Sequence, residues 1–417
     1  MRNRFFCCFL AVILFITSAV ACAQTEYREY IVNTNAESAK AEIRIAGDSY
    51  SDICMEGAYS LDGSLYTTAQ GWVEYTVDIP ETALYCISIR YIPGEGTGAD
   101  IQRALYINGD LPFEEAGAFS FSRIWNNIND DYKKVKGNQP FPSQVETPEW
   151  RQVYLTDSNG YIQTPLCFQL EKGENTLRFA SIRECMTVSD IILTPVKTYP
   201  TYEEYLNKAQ EEGLTIYSGK YLKLQAEDAA AKSGPSFYPL NDRTSPKTEP
   251  YHYSNIVMNM IGGSAWNEPG EWLSWDIEVP EDGLYYIGFR FKQSDLRGLY
   301  ATRRLTVNGE QPFREAGDLR FYYDSDWQFG PLGEYKTNGK IRTPYLIRLN
   351  KGVNRISLEV SLGALGEILT DLNDVTNELN GIYREIVAIT GSSPDTYRDY
   401  KLFTRIPDLP DRLIACR

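Results

Sequence analysis

The chain has 417 residues, with 56 acidic against 41 basic side chains and a formal net charge of −15 at pH 7. This length is sufficient for two or three domains. Because nucleic-acid phosphates are bound by clustered lysine and arginine, the acidic balance argues against nucleic acid as a partner.

The first 23 residues are typical of a secretory signal peptide. Arg2 and Arg4 precede an apolar run at 5–20, which is short for a membrane span. Small residues of the A-x-A type follow at Ala19, Ala21 and Ala23. The order of charge, apolar core and small residues predicts a secreted or cell-surface protein.

Cys22 leaves two interpretations of this terminus open. Cleavage after Ala21 would expose Cys22 as a lipid-modified first residue, whereas cleavage after Ala23 would discard it. No later segment is apolar and long enough to cross a bilayer. We therefore expect membrane attachment only if Cys22 is lipidated.

The rest of the chain contains an internal repeat. Residues 72–117 align with 272–317 without a gap, at a constant offset of 200. Further on, 164–179 align with 343–358 at an offset of 179, so the first copy carries 21 extra residues between the two blocks. A short lead-in, YREYI at 27–31, also returns as YEEYL at 202–206. Two related domains explain these matches.

Each copy has the pattern of short β-strands. Apolar and polar residues alternate along 73–79 and again along 273–279, which places the apolar residues on one face of a strand. Pro-Glu-Thr-Ala and Pro-Glu-Asp-Gly turns follow, and Asn108-Gly109 and Asn308-Gly309 are typical of tight turns with positive φ. These signals predict an all-β fold of antiparallel sandwiches.

Beyond residue 362 the period changes to that of a helix. Apolar residues spaced alternately four and three apart predict one helix that ends near Gly391. They are Ile368, Leu372, Val375, Leu379, Ile382, Ile386 and Ile389. We expect this helix to pack on the second domain or on a following one; a self-associating coiled coil is the alternative.

Cysteine and histidine usage restricts the chemistry. Five cysteines remain after residue 23, and the four in the first half allow three disulfide pairings, with buried free thiols equally open. His252 is the single histidine, and common hydrolase and phosphate-binding motifs are absent from the sequence. We expect no enzymatic activity; glycoside hydrolysis by two carboxylates is the alternative.

Three blocks resemble known modules. The sequence from Gly270 to Phe291, the QAED at 225–228 and the SDIILTP at 189–195 resemble galactose-binding-like jelly-roll modules of carbohydrate-binding type. Residues 27–411 resemble the N-terminal region of large extracellular solute-binding proteins of Gram-positive sugar ABC transporters, most specifically at 301–313 and 379–410. In those proteins a solute-binding domain follows, so we expect a truncated or stand-alone form here.

The resemblance implies a domain plan and a function. It implies a signal peptide at 1–23, β-sandwich modules at 24–198 and 219–362, a linker with a short helix at 199–218, and a helical segment at 363–417. The expected function is non-catalytic binding of a polysaccharide or oligosaccharide, with an ABC permease as a further partner through the missing domain. A structural spacer or protein-interaction platform without a sugar site is the rival.

In modules of this kind, an aromatic ring stacks on the sugar and polar side chains bind its hydroxyl groups. The candidate rings are Trp72, Trp125, Trp150, Trp266, Trp272 and Trp327. Trp72 and Trp272 begin their strands on the face opposite the apolar stripe, so we expect them to be exposed. The candidate polar groups are Arg103, Arg303 and Arg304, although these arginines could equally pair with carboxylates.

The resemblance also implies a structural calcium ion, because such modules hold one through carboxylate and carbonyl oxygens. By position the ligands would be Asp48 and Asp190 in the first module and Glu227 in the second. The opening glutamate of the family pattern is replaced by Gln225 in the second copy and by Ala46 in the first.

Overall fold

The computed structural model describes residues 25–128, 136–335 and 341–417, with the side chains of 341–342 left out. The predicted signal peptide and Cys22 lie outside the described residues.

The described part of the first half of the chain contains a short α-helix and fourteen strands. The helix α1 spans Tyr27–Asn33. The strands are β1 (Ile43–Ala46), β2 (Asp52–Cys54), β3 (Tyr59–Leu61), β4 (Ser64–Thr67), β5 (Trp72–Ile79), β6 (Ala83–Pro93), β7 (Ile101–Ile107), β8 (Phe119–Phe121), β9 (Trp125–Asn127), β10 (Gln144–Glu146), β11 (Arg151–Tyr154), β12 (Cys167–Leu170), β13 (Gly173–Arg183) and β14 (Met186–Thr194).

Twelve of these strands form two sheets that pack face to face. One sheet has the order β11-β6-β14-β4-β3, with β1 also on β14 and β12 also on β6. The other has the order β2-β5-β13-β7-β8. Their inner faces enclose one apolar core, to which β5 contributes Val73, Tyr75, Val77 and Ile79 from alternate positions. This is the predicted β-sandwich.

Helix α1 is fixed to the sandwich by its tyrosines. The Tyr27 and Tyr30 hydroxyl oxygens accept hydrogen bonds from the Cys167 and Gln169 backbone amides on β12, at 3.0 and 2.8 Å. The rings pack on Phe113. The tyrosines of the repeated lead-in therefore cover an edge strand of the sheet.

The second half repeats much of this arrangement. It contains helix α2 (Tyr202–Glu211) and the strands β15 (Ala231–Lys232), β16 (Trp272–Val279), β17 (Gly283–Tyr286), β18 (Gly288–Phe291), β19 (Tyr300–Val307), β20 (Leu319–Tyr322), β21 (Gln328–Pro331), β22 (Gly333–Tyr335), β23 (Ile341–Pro344), β24 (Leu346–Leu349) and β25 (Gly352–Ser361). The Tyr202 and Tyr205 hydroxyl oxygens of α2 accept hydrogen bonds from backbone amides of β24, as the tyrosines of α1 do from β12.

The first layer of this half contains a contribution from the first half. Its strand order is β10-β9-β15-β16-β25-β19-β20, so the β9–β10 hairpin continues the sheet beyond β15. The hairpin lies in the region where the first copy has its extra residues. The second layer consists of three two-stranded ladders, β17-β24, β18-β21 and β22-β23, and a second apolar core fills the space between the layers.

The turns of the two copies also match. Asn108 and Gly109 have φ of 52° and 90°, and Asn308 and Gly309 have φ of 52° and 86°. These values are those of the predicted tight turn, in which both central residues have positive φ. The predicted all-β class with two tandem sandwiches is confirmed, and a helical segment follows it as expected.

That segment contains α3 (Leu365–Thr390), α4 (Leu402–Arg405) and α5 (Leu409–Ala415). Helix α3 ends at Gly391, whose φ of 76° stops the helix at the predicted residue. Ile382, near its C-terminal end, packs against Ile406 and Leu409 of the following segment. Its N-terminal half contacts α1 instead, through an Arg28–Asp371 ion pair of 2.6 Å. Among the described helices, none is long and apolar enough to span a membrane.

Candidate functional site

A cleft of about 1040 Å³ lies between the two sandwiches. The first half contributes β11 and the turn before it, and the second half contributes side chains of β16, β19 and β25. Ligand sites are commonly found where two domains meet, and a volume of this order accommodates a ligand larger than a single sugar.

One wall of the cleft carries a stripe of three side chains, Trp150, Gln152 and Tyr154, which lie on the same side of β11 and of the residue that precedes it. They share a side because alternate residues of an extended chain point the same way. Trp150 is 42% exposed, and the Arg90 guanidinium lies 5.5 Å from its ring centroid. Along an extended strand, Trp150 and Tyr154 are about 13 Å apart, so the stripe presents two aromatic rings with an amide between them.

Two polar groups in the cleft have unsatisfied atoms. Gln163 Oε1 and Arg304 Nε are buried and have no hydrogen-bond partner within the described part of the chain. Arg304 uses its other nitrogens for the Gln163 carbonyl oxygen, at 2.5 Å, and for Glu359, at 3.2 Å. Because buried polar atoms without partners are costly, this end of the cleft is prepared for a ligand or water that supplies them.

Polar contacts across the cleft connect the two halves. Arg355 pairs with Glu149 at 2.5 Å and with Asp276 at 2.8 Å. Lys197 pairs with Glu310 at 2.8 Å. The Arg355–Glu149 and Lys197–Glu310 pairs join residues 206 and 113 positions apart and connect the two walls of the cleft, whereas the Arg355–Asp276 pair lies within the second half.

The structure places the predicted Trp272 at the floor of the cleft. It is 6% exposed, its indole Nε1 donates to Ser122 Oγ at 3.0 Å, and the Arg151 guanidinium lies 3.9 Å from its ring centroid. The prediction that Trp272 is exposed is wrong, because the first sandwich covers the side of β16 that the isolated module would leave open. Trp125 lies nearby in β9, opposite Lys232 of β15.

The other predicted tryptophans lie away from the cleft. Trp72 is half-buried in β5, with the Arg178 guanidinium 4.1 Å above its ring. Trp327 donates from Nε1 to Asp242 Oδ2 at 2.7 Å. Trp266 carries the Arg303 guanidinium at 4.1 Å. The six rings therefore do not form one surface, and their roles in binding stay predictions.

The predicted arginines are surrounded by protein. Arg103 is fully buried, and its terminal nitrogens donate to three backbone carbonyl groups and to the Thr67 hydroxyl. Burial lowers the pKa of Arg103 to about 10, and burial has the same effect on Arg303. Arg304, by contrast, faces the cleft.

The predicted calcium ligands do not converge. No group of three or more histidine, cysteine, aspartate or glutamate side chains suited to a metal occurs in the described ranges. Asp48 is exposed, and Asp190 lies between Arg44 and Arg90, at 3.6 and 3.9 Å, which already balance its charge. Glu227 is buried, and desolvation raises its pKa to about 7. The calcium ion stays a prediction that rests on the resemblance.

Sequence reasoning selected Trp150 among other tryptophans but missed Gln152 and Tyr154. The signal was present in the sequence, because Trp-Arg-Gln-Val-Tyr at 150–154 has the period of a strand with a polar and aromatic outer face. The segment lies outside the part of the first copy that aligns with the second copy at the 200-residue offset, so the repeat did not point to it.

Comparison with family models and with curated proteins gives two results. Residues 367–417 match the family model of the bacterial solute-binding protein 4-helix bundle domain. The predicted resemblance to solute-binding proteins is thereby confirmed for the helical segment. No curated protein matches the chain significantly.

Solved structures with partial similarity include several carbohydrate-binding modules. A family 35 module from Clostridium thermocellum is 15% identical, with a TM-score of 0.24, over 37% of this chain and 98% of that module. The family 35 module of Cellvibrio japonicus Abf62 is 11% identical, with a TM-score of 0.22, over 38% of this chain and 95% of that one. A mannanase from Podospora anserina is 14% identical, with a TM-score of 0.23, over 39% of this chain and 29% of the enzyme.

Proposed function

We propose that this protein binds an oligosaccharide or a polysaccharide segment in the cleft between its two sandwiches, without changing it chemically. The observation that carries the proposal is the stripe formed by Trp150, Gln152 and Tyr154. Aromatic rings stack on the apolar face of a sugar ring, and the intervening amide both donates and accepts hydrogen bonds to hydroxyl groups.

The unsatisfied atoms of the cleft support the same ligand class. Gln163 Oε1 requires a donor and Arg304 Nε requires an acceptor. A sugar hydroxyl supplies either role. Because the cleft also carries carboxylates from both halves, such as Glu149 and Glu359, we expect neutral glycans to bind better than acidic ones.

Substitution of the most exposed ring tests this site. In a glycan array followed by calorimetry with the best glycan, we expect Trp150→Ala to weaken binding at least tenfold, the equivalent of about 1.4 kcal/mol. Trp72→Ala is the matched control. Trp72 also belongs to the first half, but it lies outside the cleft, where the Arg178 guanidinium covers its ring.

Two results would point elsewhere. Binding that Trp72→Ala abolishes and Trp150→Ala leaves intact would move the site away from the cleft. If the folded protein binds no glycan, the spacer or interaction platform becomes the better explanation, and release of reducing sugar from a bound glycan would indicate a hydrolase.

We further propose that this binding serves sugar capture for an importer at the cell exterior. The support is the match of residues 367–417 to the solute-binding protein helical domain, together with the signal-like pattern of 1–23. Uptake of the bound glycan by cells of the source organism should fall when the gene is deleted; unchanged uptake would count against this role.

A further inference from the structure

Within the described residues, the second sandwich has no equivalent of one strand of the first. In the first sandwich β14 is central, pairing with β6 on one side and with β1 and β4 on the other. In the second, the chain leaves β25 and enters α3 directly. No strand within the described ranges takes the place of β14.

One flank of the resulting gap is the edge of β18. At the 200-residue offset, β18 matches the part of β6 that pairs with β14. Its other edge pairs with β21, as β6 pairs with β11. The Leu332 amide donates to the Ile287 carbonyl oxygen on the β21 side, so the backbone groups of Gly288 and Arg290 point to the open edge.

The other flank is the segment 222–225, which matches β1 at the 179-residue offset. It forms no strand, whereas the matching residues of β1 are held by β14. Ile45 of β1 is 7% exposed, but its counterpart Leu224 is 51% exposed. The apolar residues of the first flank are also more exposed than their counterparts. Phe289 and Phe291 of β18 are half-buried, whereas Ile89 and Tyr91 at the matching positions of β6 are buried.

In each sandwich the cations on the two flanks approach one carboxylate, as a gap one strand wide requires. In the first sandwich, Asp190 of β14 contacts Arg44 of β1 and Arg90 of β6. The corresponding cations of the second sandwich are Lys223 and Arg290. Both contact a single carboxylate, that of Glu249, with Arg290 at 3.3 Å.

We propose that this gap is a docking site for an extended strand with the side-chain pattern of β14, which completes the second sandwich by β-strand addition. The strand would lie antiparallel to β18. It would carry apolar side chains that cover Leu224 and Phe289, and an acidic residue facing Lys223 and Arg290. An open edge with apolar flanks favours such pairing because the backbone groups and the apolar surface are both satisfied by one strand.

Glu249 is the group that the strand would replace. It lies in a connection that contains no helix or strand between 241 and 259, and Arg290 also donates to the Lys247 carbonyl oxygen there, so the incoming strand would displace both contacts. The occupant is thus defined by the pattern of β14 itself, with an acid at the position of Asp190 and apolar residues at those of Ile191 and Leu193.

A labelled peptide with the sequence of 186–195, MTVSDIILTP, is the probe. We expect the full chain to bind it in fluorescence anisotropy, and hydrogen exchange to slow at 222–225 and 286–292. A peptide with Ile191→Asp and Leu193→Asp should bind at least tenfold more weakly. Leu224→Asp in the protein should also weaken binding at least tenfold, whereas Val353→Asp, at a more exposed apolar residue on β25, should not.

Absence of binding, or protection confined to the first sandwich, would overturn the proposal. If hydrogen exchange at 286–292 slows as the protein concentration rises in the absence of peptide, a second copy of the chain fills the gap. That result would also overturn the proposal. The readout involves no glycan, so failure here is distinguishable from failure of the proposed sugar site.

Discussion

Lys232 makes the junction between the two sandwiches sensitive to pH. Its side chain is fully buried where β15 meets the β9–β10 hairpin, and its ammonium group donates to Asn127 Oδ1 at 2.7 Å and to Gln144 Oε1. Both acceptors are neutral, and desolvation lowers the pKa of Lys232 from 10.5 to about 8. The folded protein therefore releases this proton at a lower pH than the unfolded chain does.

The sign of the effect follows from proton binding. Between pH 8 and 10.5 the Lys232 amine is more protonated in the unfolded chain than in the folded protein. The contribution of Lys232 to the free energy of unfolding therefore rises with pH through that window, and it is lost as pH falls through 8. The full shift corresponds to at most about 3 kcal/mol. Rearrangement of the junction around the charged side chain reduces this, so we expect about 1–2 kcal/mol between pH 7 and pH 10.

Lys232→Met isolates this contribution. The free energy of unfolding of wild type and variant is measured in urea at pH 7 and at pH 10. The wild-type value minus the variant value should be about 1–2 kcal/mol larger at pH 10 than at pH 7. Groups that titrate equally in both proteins cancel in this difference. Lys172→Met, at an exposed turn, is the control and should show no such change. Parallel pH dependence in wild type and Lys232→Met would refute the reasoning.

Two further predictions concern the first sandwich. Arg123 is fully buried and pairs with Glu184 and Glu146, both at 2.5 Å. Arg123→Met would leave Glu184 buried without its cation, so it should lower the free energy of unfolding in urea by about 3–5 kcal/mol. Adding Glu184→Gln should recover part of this loss. An Arg123→Met variant as stable as wild type would contradict this account. Cys86 and Cys167 lie opposite each other on β6 and β12 with their sulfur atoms 3.1 Å apart. Oxidation by glutathione disulfide should join them and release two molecules of reduced glutathione, so the protein, once separated from glutathione, should have two fewer thiols. Mass spectrometry should find this pair linked in preference to any pair that includes Cys54 or Cys185.

Local pattern was sufficient to predict much of the fold. The alternation at 73–79 and 273–279, the Asn-Gly turns and the end of helix α3 at Gly391 depend on neighbouring residues and on backbone preferences, which a sequence displays directly. The repeated lead-in could also be recognised, because its tyrosines recur at the same spacing in both copies.

The binding cleft was decided by tertiary structure alone. Trp272 has the sequence position of an exposed residue, yet it is buried because Ser122 and Arg151 of the other sandwich meet it. The sequence also gives no local sign of the burial of Lys232 or of the open edge of β18. Burial of Lys232 depends on a hairpin 105 residues away, and the edge of β18 is open because no described strand pairs with it. Sequence periodicity determines which face of a strand is apolar; which surface comes to cover that face depends on how distant segments pack.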